Sequence, residues 1–410
     1  MKIGVIGGGA AGMMCSATIN ESHPDAEVLL FEKNFELGKK VIISGGGRSN
    51  VTTGFHDIKT VLEKYPRGSK FLQSALHTFS PTDAGEWFEA HGVPLICEDD
   101  LRVFPQSHDG HDIVDAFKKI FKTSHTKILT GHGVQRIEKN SAGGFKIFCK
   151  DKEIFLVDKV VLCLGGQAYR HTGSTGDGYA LAESLGHSVT RLAPSLNSFI
   201  IKEKWPKTLS GLSFKKATIK SVRNKKHSYT GPFLFTHTGV SGPAVFALSS
   251  LTAFEEYSPK KPLEISIDLC ADFSVDELTM HLTKLMQESP KKTCRNTIHA
   301  ILPRSLADFV CETQNISTEK KNAEIRKKVL NQIVDYIKNI PLSVIGRGAG
   351  DEFVTAGGVE LSEVNPSTME SKICPGLFFA GEILNVDGFT GGFNLHASWA
   401  TGRRAGLHVY

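Results

Sequence analysis

Three elements can be read from hydrophobic patterning in the first thirty-odd residues. Lys2-Ile3-Gly4-Val5-Ile6-Gly7 is apolar after its first residue and reads as a buried strand. Ala10 to Asn20 is built of small residues and reads as a helix that can pack closely on a sheet, and Ala26-Glu27-Val28-Leu29-Leu30-Phe31-Glu32 is a second strand. Together they predict a β-α-β unit. Residues 70–92 and 111–123 carry helical periodicity, and 127–163 alternates in strand fashion up to the run Lys159-Val160-Val161-Leu162-Cys163-Leu164. Residues 192–270 are strand-like and turn-rich, with little sign of a long helix before about 243. Helical periodicity fills 274–338, and strand character returns beyond 340, with a further buried run at Leu377-Phe378-Phe379. The simplest architecture is one domain drawn from both chain ends (1–190 and 341–410), with a β-rich unit (191–272) and a helical unit (273–340) inserted between them.

The first turn fits Gly7-x-Gly9-x-x-Gly12, where Gly7 permits the turn, Gly9 lets backbone approach a pyrophosphate and Gly12 lets the helix pack on the strand. The helix aims its free N–H groups at the phosphates. Glu32, at the end of the second strand, is placed to accept hydrogen bonds from ribose hydroxyls. This pattern predicts dinucleotide binding without separating NAD from FAD. Three features favour FAD: the loop Ser44-Gly45-Gly46-Gly47-Arg48-Ser49-Asn50, the glycines Gly165 and Gly166 after a strand, and Phe379-Ala380-Gly381-Glu382 followed by a Gly391-Gly392 turn that opens a helix. A helix N-terminus beside a flavin would stabilise the negative charge that reduction brings.

Composition narrows the class. The chain has 410 residues, 48 Lys plus Arg against 43 Asp plus Glu, and a net charge of +5, too small an excess to argue for nucleic acid by itself. The basic run Lys320-Lys321 and Arg326-Lys327-Lys328 is interleaved with Glu319 and Glu324 and reads as a solvated helix face. Eight scattered cysteines form no CxxC pair, so neither a disulfide framework, a disulfide reductase nor a zinc site is expected, and no metal is assigned. Free thiols, with no signal-peptide core and no membrane span, point to a cytoplasmic protein without a membrane partner.

The glycine motifs are specific in combination. Gly38-Lys39-Lys40, Ser44 to Asn50, Thr172-Gly-Ser-Thr-Gly-Asp-Gly178, Thr236-His-Thr-Gly-Val-Ser-Gly-Pro243, Ala380-Gly-Glu382 and Asp387-Gly-Phe-Thr-Gly-Gly-Phe-Asn-Leu395 resemble the HI0933-like (BaiN/aminoacetone oxidase-type) family of FAD-dependent oxidoreductases. The resemblance spans nearly the whole chain. It implies an α/β fold: a Rossmann-like FAD-binding domain with an inserted β-barrel-like domain and a helical subdomain. It also implies that FAD is surrounded by Gly7, Gly9, Ala11, Gly12, Glu32, Lys33, Lys39, Gly46, Arg48, Ser49, Asn50, Val134, Gly165, Gly166, Gly381, Glu382, Asp387, Gly392, Asn394 and Leu395. Where related proteins often read Gly-Gly-x-Ser-x-Pro, this chain has Gly165-Gly166-Gln167-Ala168-Tyr169-Arg170, which leaves the local loop shape and the substrate open.

The resemblance implies oxidoreductase chemistry on a small organic substrate, either amine or ketone oxidation or enone reduction, with hydride passing through flavin N5. NAD(P)H is a candidate electron donor. His237 is the candidate acid–base group; His396 is weighed beside it, with loop-fixing roles as the alternative for both. Arg48 could bind phosphate or neutralise reduced flavin. The active site is expected between the FAD domain and the inserted β unit, with Thr236-His237-Thr238-Gly239 beside the flavin ring. Two other functions stay open: a flavin-dependent RNA-modifying protein, although a nucleic-acid partner is not expected from the charge balance, and a non-catalytic flavin-binding module. Substrate and oligomeric state are not legible.

Overall fold

The N-terminal apolar run becomes the central strand of a five-stranded parallel sheet, ordered Leu377–Phe379, Lys159–Leu162, Lys2–Ile6, Glu27–Glu32, Thr126–Thr130. The computed structural model describes residues 1–141, 143–348 and 352–410, and the chain divides into two units, Met1–Ser195 with Glu352–Tyr410, and Leu196–Asp351. Val5, Val160, Val161 and Leu377 are fully buried, as a parallel sheet covered on both faces requires. The chain builds outward from Lys2–Ile6 to Glu27–Glu32 and Thr126–Thr130, then returns to the other flank with Lys159–Leu162. The strand order therefore reverses between Lys2–Ile6 and Lys159–Leu162, and open α/β sheets bind ligands outside the carboxyl ends of the strands at such a point.

The helices Ala10–Ser22 and Phe393–His408 pack so closely that a Cβ at Gly402 would overlap the Ala11 carbonyl oxygen. Trp399 is completely buried, stacks against Phe117 and meets Phe88 edge-on, and its Nε1 donates to Val51 O at 2.9 Å. Burying an aromatic of this size contributes about 1.5–3 kcal/mol. The helical stretch expected at 70–92 is two helices, Ser69–Thr78 and Pro81–Ala90. Pro81 cannot donate to the preceding turn, and Ser80 starts a new helix through a reciprocal capping box with Asp83.

The second unit is a closed six-stranded barrel, ordered Phe199–Ile201, Gly239–Ser241, Ser228–Phe235, Ser213–Ser221, Leu263–Asp268 and Ile340–Arg347. The last of these strands pairs with Phe199–Ile201 and closes it. The domain boundary expected at 341 therefore moves, because Ile340–Arg347 is needed to eliminate the barrel's open edge. The helical stretch, with Val275–Glu288, Cys294–Ile298, Arg304–Thr313 and Lys327–Lys338, is also not a separate body. Leu278, Leu306 and Ile333 share one apolar core with Ile265 and Leu342 of the barrel. A buried ion pair between Lys338 Nζ and Asp268 Oδ2, 2.6 Å long, fastens helix to strand.

Candidate cofactor and active site

At the strand reversal each glycine of the first turn meets a different constraint. Gly7 has φ 110° and a Cβ there would stand 2.6 Å from Cys163 O, so the chain leaves its strand pressed against its neighbour. A Cβ on Gly12 would overlap the Gly7 carbonyl oxygen. Gly9 is unlike both: φ is −83° and ψ −166°, and an added Cβ meets nothing within 4 Å. The polypeptide does not require glycine at that position, and the space over it is open. Gly9 also caps the helix Ala10–Ser22 with no side-chain hydrogen bond, and no acid lies in the first turn. The first-turn N–H groups thus present an uncompensated positive end to that space.

Glu32 is half-buried at its strand end, as expected, but it already holds the turn. Its Oε2 accepts from Gly8 N at 2.9 Å, and its Oε1 accepts from Asn34 N at 2.8 Å and Asn34 Nδ2 at 2.7 Å. Oε2, with a single donor, retains capacity for a further one. Lys33 is engaged by Thr175 and Asp177, both at 2.6 Å. Burial pushes the Asp177 carboxyl up, but Thr175 and the Lys33 ammonium outweigh it and hold the group below its ordinary range.

The Ser44–Asn50 loop is wound left-handed, with φ 58°, 73° and 90° at Gly45, Gly46 and Gly47, and 56° at Ser49. A Cβ on Gly46 or Gly47 would meet open space. Ser49 is completely buried, and among the described residues its hydroxyl finds no hydrogen-bond partner. Leaving such a group unmet costs about 1–3 kcal/mol, which a polar ligand would recover. Arg48, expected on a phosphate or a reduced flavin, is committed elsewhere. Its Nη1 donates to Glu98 Oε1 at 2.7 Å and its guanidinium lies 3.9 Å from the Phe104 ring centroid. Asn50, with its amide nitrogen toward Thr52 O and Val103 O, accepts from Gly392 N at 2.9 Å.

Gly392, with φ 89°, starts the long helix Phe393–His408, again with no side-chain cap and no acid in the first turn. Asn394 closes the preceding loop, accepting from Gly388 N and donating to Gly388 O, both at 2.8 Å. Asp387 is buried in an ion pair with Arg67 and accepts from Ser195 Oγ at 3.1 Å. Glu382 pairs with Lys40 at 2.5 Å. Gly381 has φ 80°, a Cβ there would come within 2.8 Å of Ala11 Cβ, and its N–H donates to Thr401 Oγ1 at 2.9 Å. The side chains of Asp387 and Asn394 therefore build loops around the site.

The cofactor residues expected from the sequence all lie in the first unit. Cross-links between Gly38 N and Gly8 O, Lys40 and Glu382, Asn50 and Gly392, and Gly381 and Ala11 bring most of their segments together. Gly165, with φ 69°, and Gly166, whose Cβ would stand 2.5 Å from Thr355 Oγ1, line the exit of the Lys159–Leu162 strand. Val134, Lys39 and Leu395 are half-buried. Ser49 is among the residues expected from the sequence; Tyr179 is not, and its buried hydroxyl has no partner among the described residues and lies 3.4 Å from where a Cβ on Gly166 would be. Burial pushes the Tyr179 phenol up, and Glu382 reinforces the shift. Tyr179 carries no sequence signal beyond its glycine neighbours.

The two histidines part company. His396 is completely buried, its Nδ1 lies 3.1 Å from Thr52 Oγ1, and burial drives its pKa down to about 3, so it is a neutral core residue. His237 belongs to the second unit and is exposed at the turn between Ser228–Phe235 and Gly239–Ser241. That turn is held by Thr236 N to Gly239 O at 2.8 Å and Gly239 N to Thr236 Oγ1 at 3.0 Å, and a Cβ on Gly239 would overlap Phe199 O. The helix Pro243–Leu251 follows, with proline in its first turn. His132, Asp151 and Glu153 bring ligand atoms within 4.8 Å of one another at the surface of the first unit, a grouping the spacing of cysteines and histidines did not reveal.

Comparison with known proteins agrees with this geometry. The HI0933-like protein Rossmann domain family matches residues 1–408. The 3-dehydro-bile acid delta(4,6)-reductase of Clostridium scindens is 30% identical over 407 residues, covering 99% of this chain and 98% of that protein. A ribosomal RNA dihydrouridine synthase of Haemophilus influenzae is 29% identical over 410 residues, covering 99% and 97%. Among solved structures, a 3-ketosteroid-delta4-(5alpha)-dehydrogenase from Rhodococcus jostii RHA1 aligns over 99% of this chain and 96% of its own, with a TM-score of 0.50 and 16% identity. That last likeness is one of fold. Among the described residues no helix is long and apolar enough to cross a membrane.

Proposed function

The chain belongs to the HI0933-like family of FAD-dependent oxidoreductases, and from that membership we propose that it reduces a carbon–carbon double bond conjugated to a carbonyl group. The cofactor half of this reading rests on one observation: the open space over Gly9, in front of an uncapped helix, at the strand reversal. We assign the diphosphate to the first-turn N–H groups, the adenosine ribose to Glu32, and the flavin end to the Ser44–Asn50 loop and the N-terminus of Phe393–His408. Bound FAD supplies a two-electron carrier that passes hydride through N5. The uncapped Gly392 terminus offers positive charge to an electron-rich ring edge, and the orphaned Ser49 hydroxyl offers a hydrogen bond. His237 is proposed to hold the proton that completes saturation of the bond.

The reaction half rests on what the two full-length relatives share. A 3-dehydro-bile acid with double bonds at positions 4 and 6 is a conjugated dienone, and forming dihydrouridine saturates the uracil bond conjugated to its carbonyl. In a bond so conjugated the carbonyl makes the remote carbon electrophilic, so we expect hydride there and a proton at the other carbon. A small organic enone is the leading substrate, with NAD(P)H as proposed electron donor. A uracil base within RNA is the second reading, favoured by the dihydrouridine synthase likeness across 99% of this chain.

Anaerobic flavin spectroscopy tests both readings. Reduced nicotinamide should bleach the bound flavin, and a steroidal enone or a uridine-containing RNA should restore its colour. If only oxygen restores colour and an amine or amino-ketone bleaches the flavin, the protein is an oxidase and the reductase reading fails.

A further inference from the structure

We infer that one end of the barrel, formed by the turn Arg223–His227 and the adjoining turn at Lys260-Lys261, is a docking surface for RNA. The starting observation is a charge asymmetry in the chain. Residues 204–254 hold eight Lys or Arg and not one Asp or Glu, while the whole chain carries only +5, so everything outside this stretch is net negative. An even charge balance over the chain conceals a strongly basic segment.

The fold sets three of these eight charges in one turn, while Lys216, at the far end of the strand that leads into it, is paired with Asp272 at 2.6 Å. Ser213–Ser221 and Ser228–Phe235 are paired antiparallel strands, and the turn between them exposes Arg223, Lys225 and Lys226. The turn is fixed by Ser221 N to His227 O and His227 N to Asn224 O, both 2.9 Å, and by Lys226 N to Asn224 Oδ1 at 3.1 Å. Strand Leu263–Asp268 lies beside Ser213–Ser221, so the turn before it ends at the same rim of the barrel. Arg223 Nη2 donates to Pro262 O at 3.2 Å, which brings Lys260 and Lys261 alongside. The acids near these turns are Glu255, 3.5 Å from His227 Nδ1, the exposed Glu256, and Glu264, which accepts from Ser343 Oγ at 3.1 Å. No ion pair to a carboxylate is made by Lys225, Lys226, Lys260 or Lys261 among the described residues.

A solvated face normally interleaves both signs, as the helical run at 319–328 does. Unpaired like charges on a pre-organised turn repel one another and are stabilised by a polyanion that spans them. A phosphate backbone supplies closely spaced charges, and its binding releases condensed counterions. This deepens the second reading above and rests on it for the choice of RNA as the polyanion. The surface would hold the strand while the flavin unit acts on a base.

The test measures binding without turnover. FAD-loaded wild type and the variant R223E/K225E/K226E are titrated into a fluorescein-labelled single-stranded RNA of mixed sequence, across a salt series. We expect the variant to bind at least tenfold more weakly. The slope of log affinity against log salt should be shallower by ~2, since each lost phosphate contact removes ~0.7 on single strands. K320E/K321E, in the helical run, should bind like wild type. Flavin content, melting temperature and reoxidation by a small enone should not change in either variant. Should the triple variant lose flavin, K225Q/K226Q is measured in its place and must still weaken binding. Equal affinity of wild type and turn variants overturns the inference, as does wild type that ignores RNA at low salt or binds anionic lipid vesicles that RNA cannot displace. RNA binding that depends on this turn, without reoxidation by RNA, leaves the docking surface standing and removes the uracil reading.

Discussion

Gly9 and Gly12 sit three residues apart in one motif, yet the reasons for their identity differ, and the difference is measurable. A Cβ at Gly12 collides with backbone that has nowhere to move, whereas one at Gly9 enters empty space. Gly12→Ala should therefore prevent the helix Ala10–Ser22 from seating and yield little folded protein. Gly9→Ala should leave the melting temperature of flavin-free protein within about a degree, while a methyl group in the phosphate path weakens FAD binding at least tenfold, ~1.4 kcal/mol. Equal FAD affinity of Gly9→Ala and wild type would mean the phosphates run elsewhere.

His396 yields a pH dependence of definite sign. Its native pKa is about 3 against an ordinary 6.5, because burial disfavours the charged ring, with Asp83 opposing the shift. Below pH 6.5 the unfolded chain takes up a proton that the native one refuses, so stability present above that pH is lost as pH falls toward 3. At ~1.36 kcal/mol per unit the loss is about 2 kcal/mol at pH 5. Denaturant midpoints measured from pH 7 to 4.5 should fall less steeply for His396→Gln than for wild type. Parallel slopes would show that the ring titrates normally in the folded state.

At the scale of elements, legibility followed length and locality. The strands at 2–6, 27–32 and 159–162 and the helix from residue 10 were readable because each buries a continuous apolar run. Thr52–Thr53, Leu95–Cys97 and Arg102–Pro105 form a sheet that no periodicity discloses, since strands of two to four residues hold barely one alternation. Arg48 lies in the glycine loop that the sequence singles out, but its partner Glu98 lies fifty residues away in sequence, and nothing local announces the pair. The closing strand of the barrel was read as the return to the first domain, because strand character alone does not say which sheet a strand joins. One ion pair tests how firmly helices and barrel are joined. Lys338→Ala leaves Asp268 buried beside Cys270 N without its cation and should cost about 3–5 kcal/mol. Because each unit has its own apolar core, a calorimetric trace should show the second unit melting early with the flavin still bound. A single unshifted transition would count against separate cores.

For the molecule as a whole, the decisive feature is how the insertion is attached. The chain leaves the first unit after Ala193–Ser195 and returns through Val354–Ala356, and these two strands pair antiparallel with Ser195 opposite Val354. The exit and return points are therefore adjacent within the first unit, and all proposed FAD residues lie in that unit. Joining Ser195 to Val354 through a short Gly-Ser linker should give a folded protein, since the turn needed is no longer than a hairpin loop. It should remain yellow and release FAD on denaturation. It should also lose enone-dependent reoxidation by ~10²–10⁴-fold, because we place the proton-delivering His237 in the part removed, and positioned acid–base groups contribute that much. His237→Ala in the full chain separates loss of this one group from loss of the whole unit: flavin content should stay normal while turnover falls, and the fall should ease as pH drops if solvent takes over proton delivery. A linked first unit that turns over as fast per flavin as the intact chain would place the whole reaction in the Rossmann unit and strike His237 from it. A colourless linked protein would show instead that the barrel contributes to holding FAD.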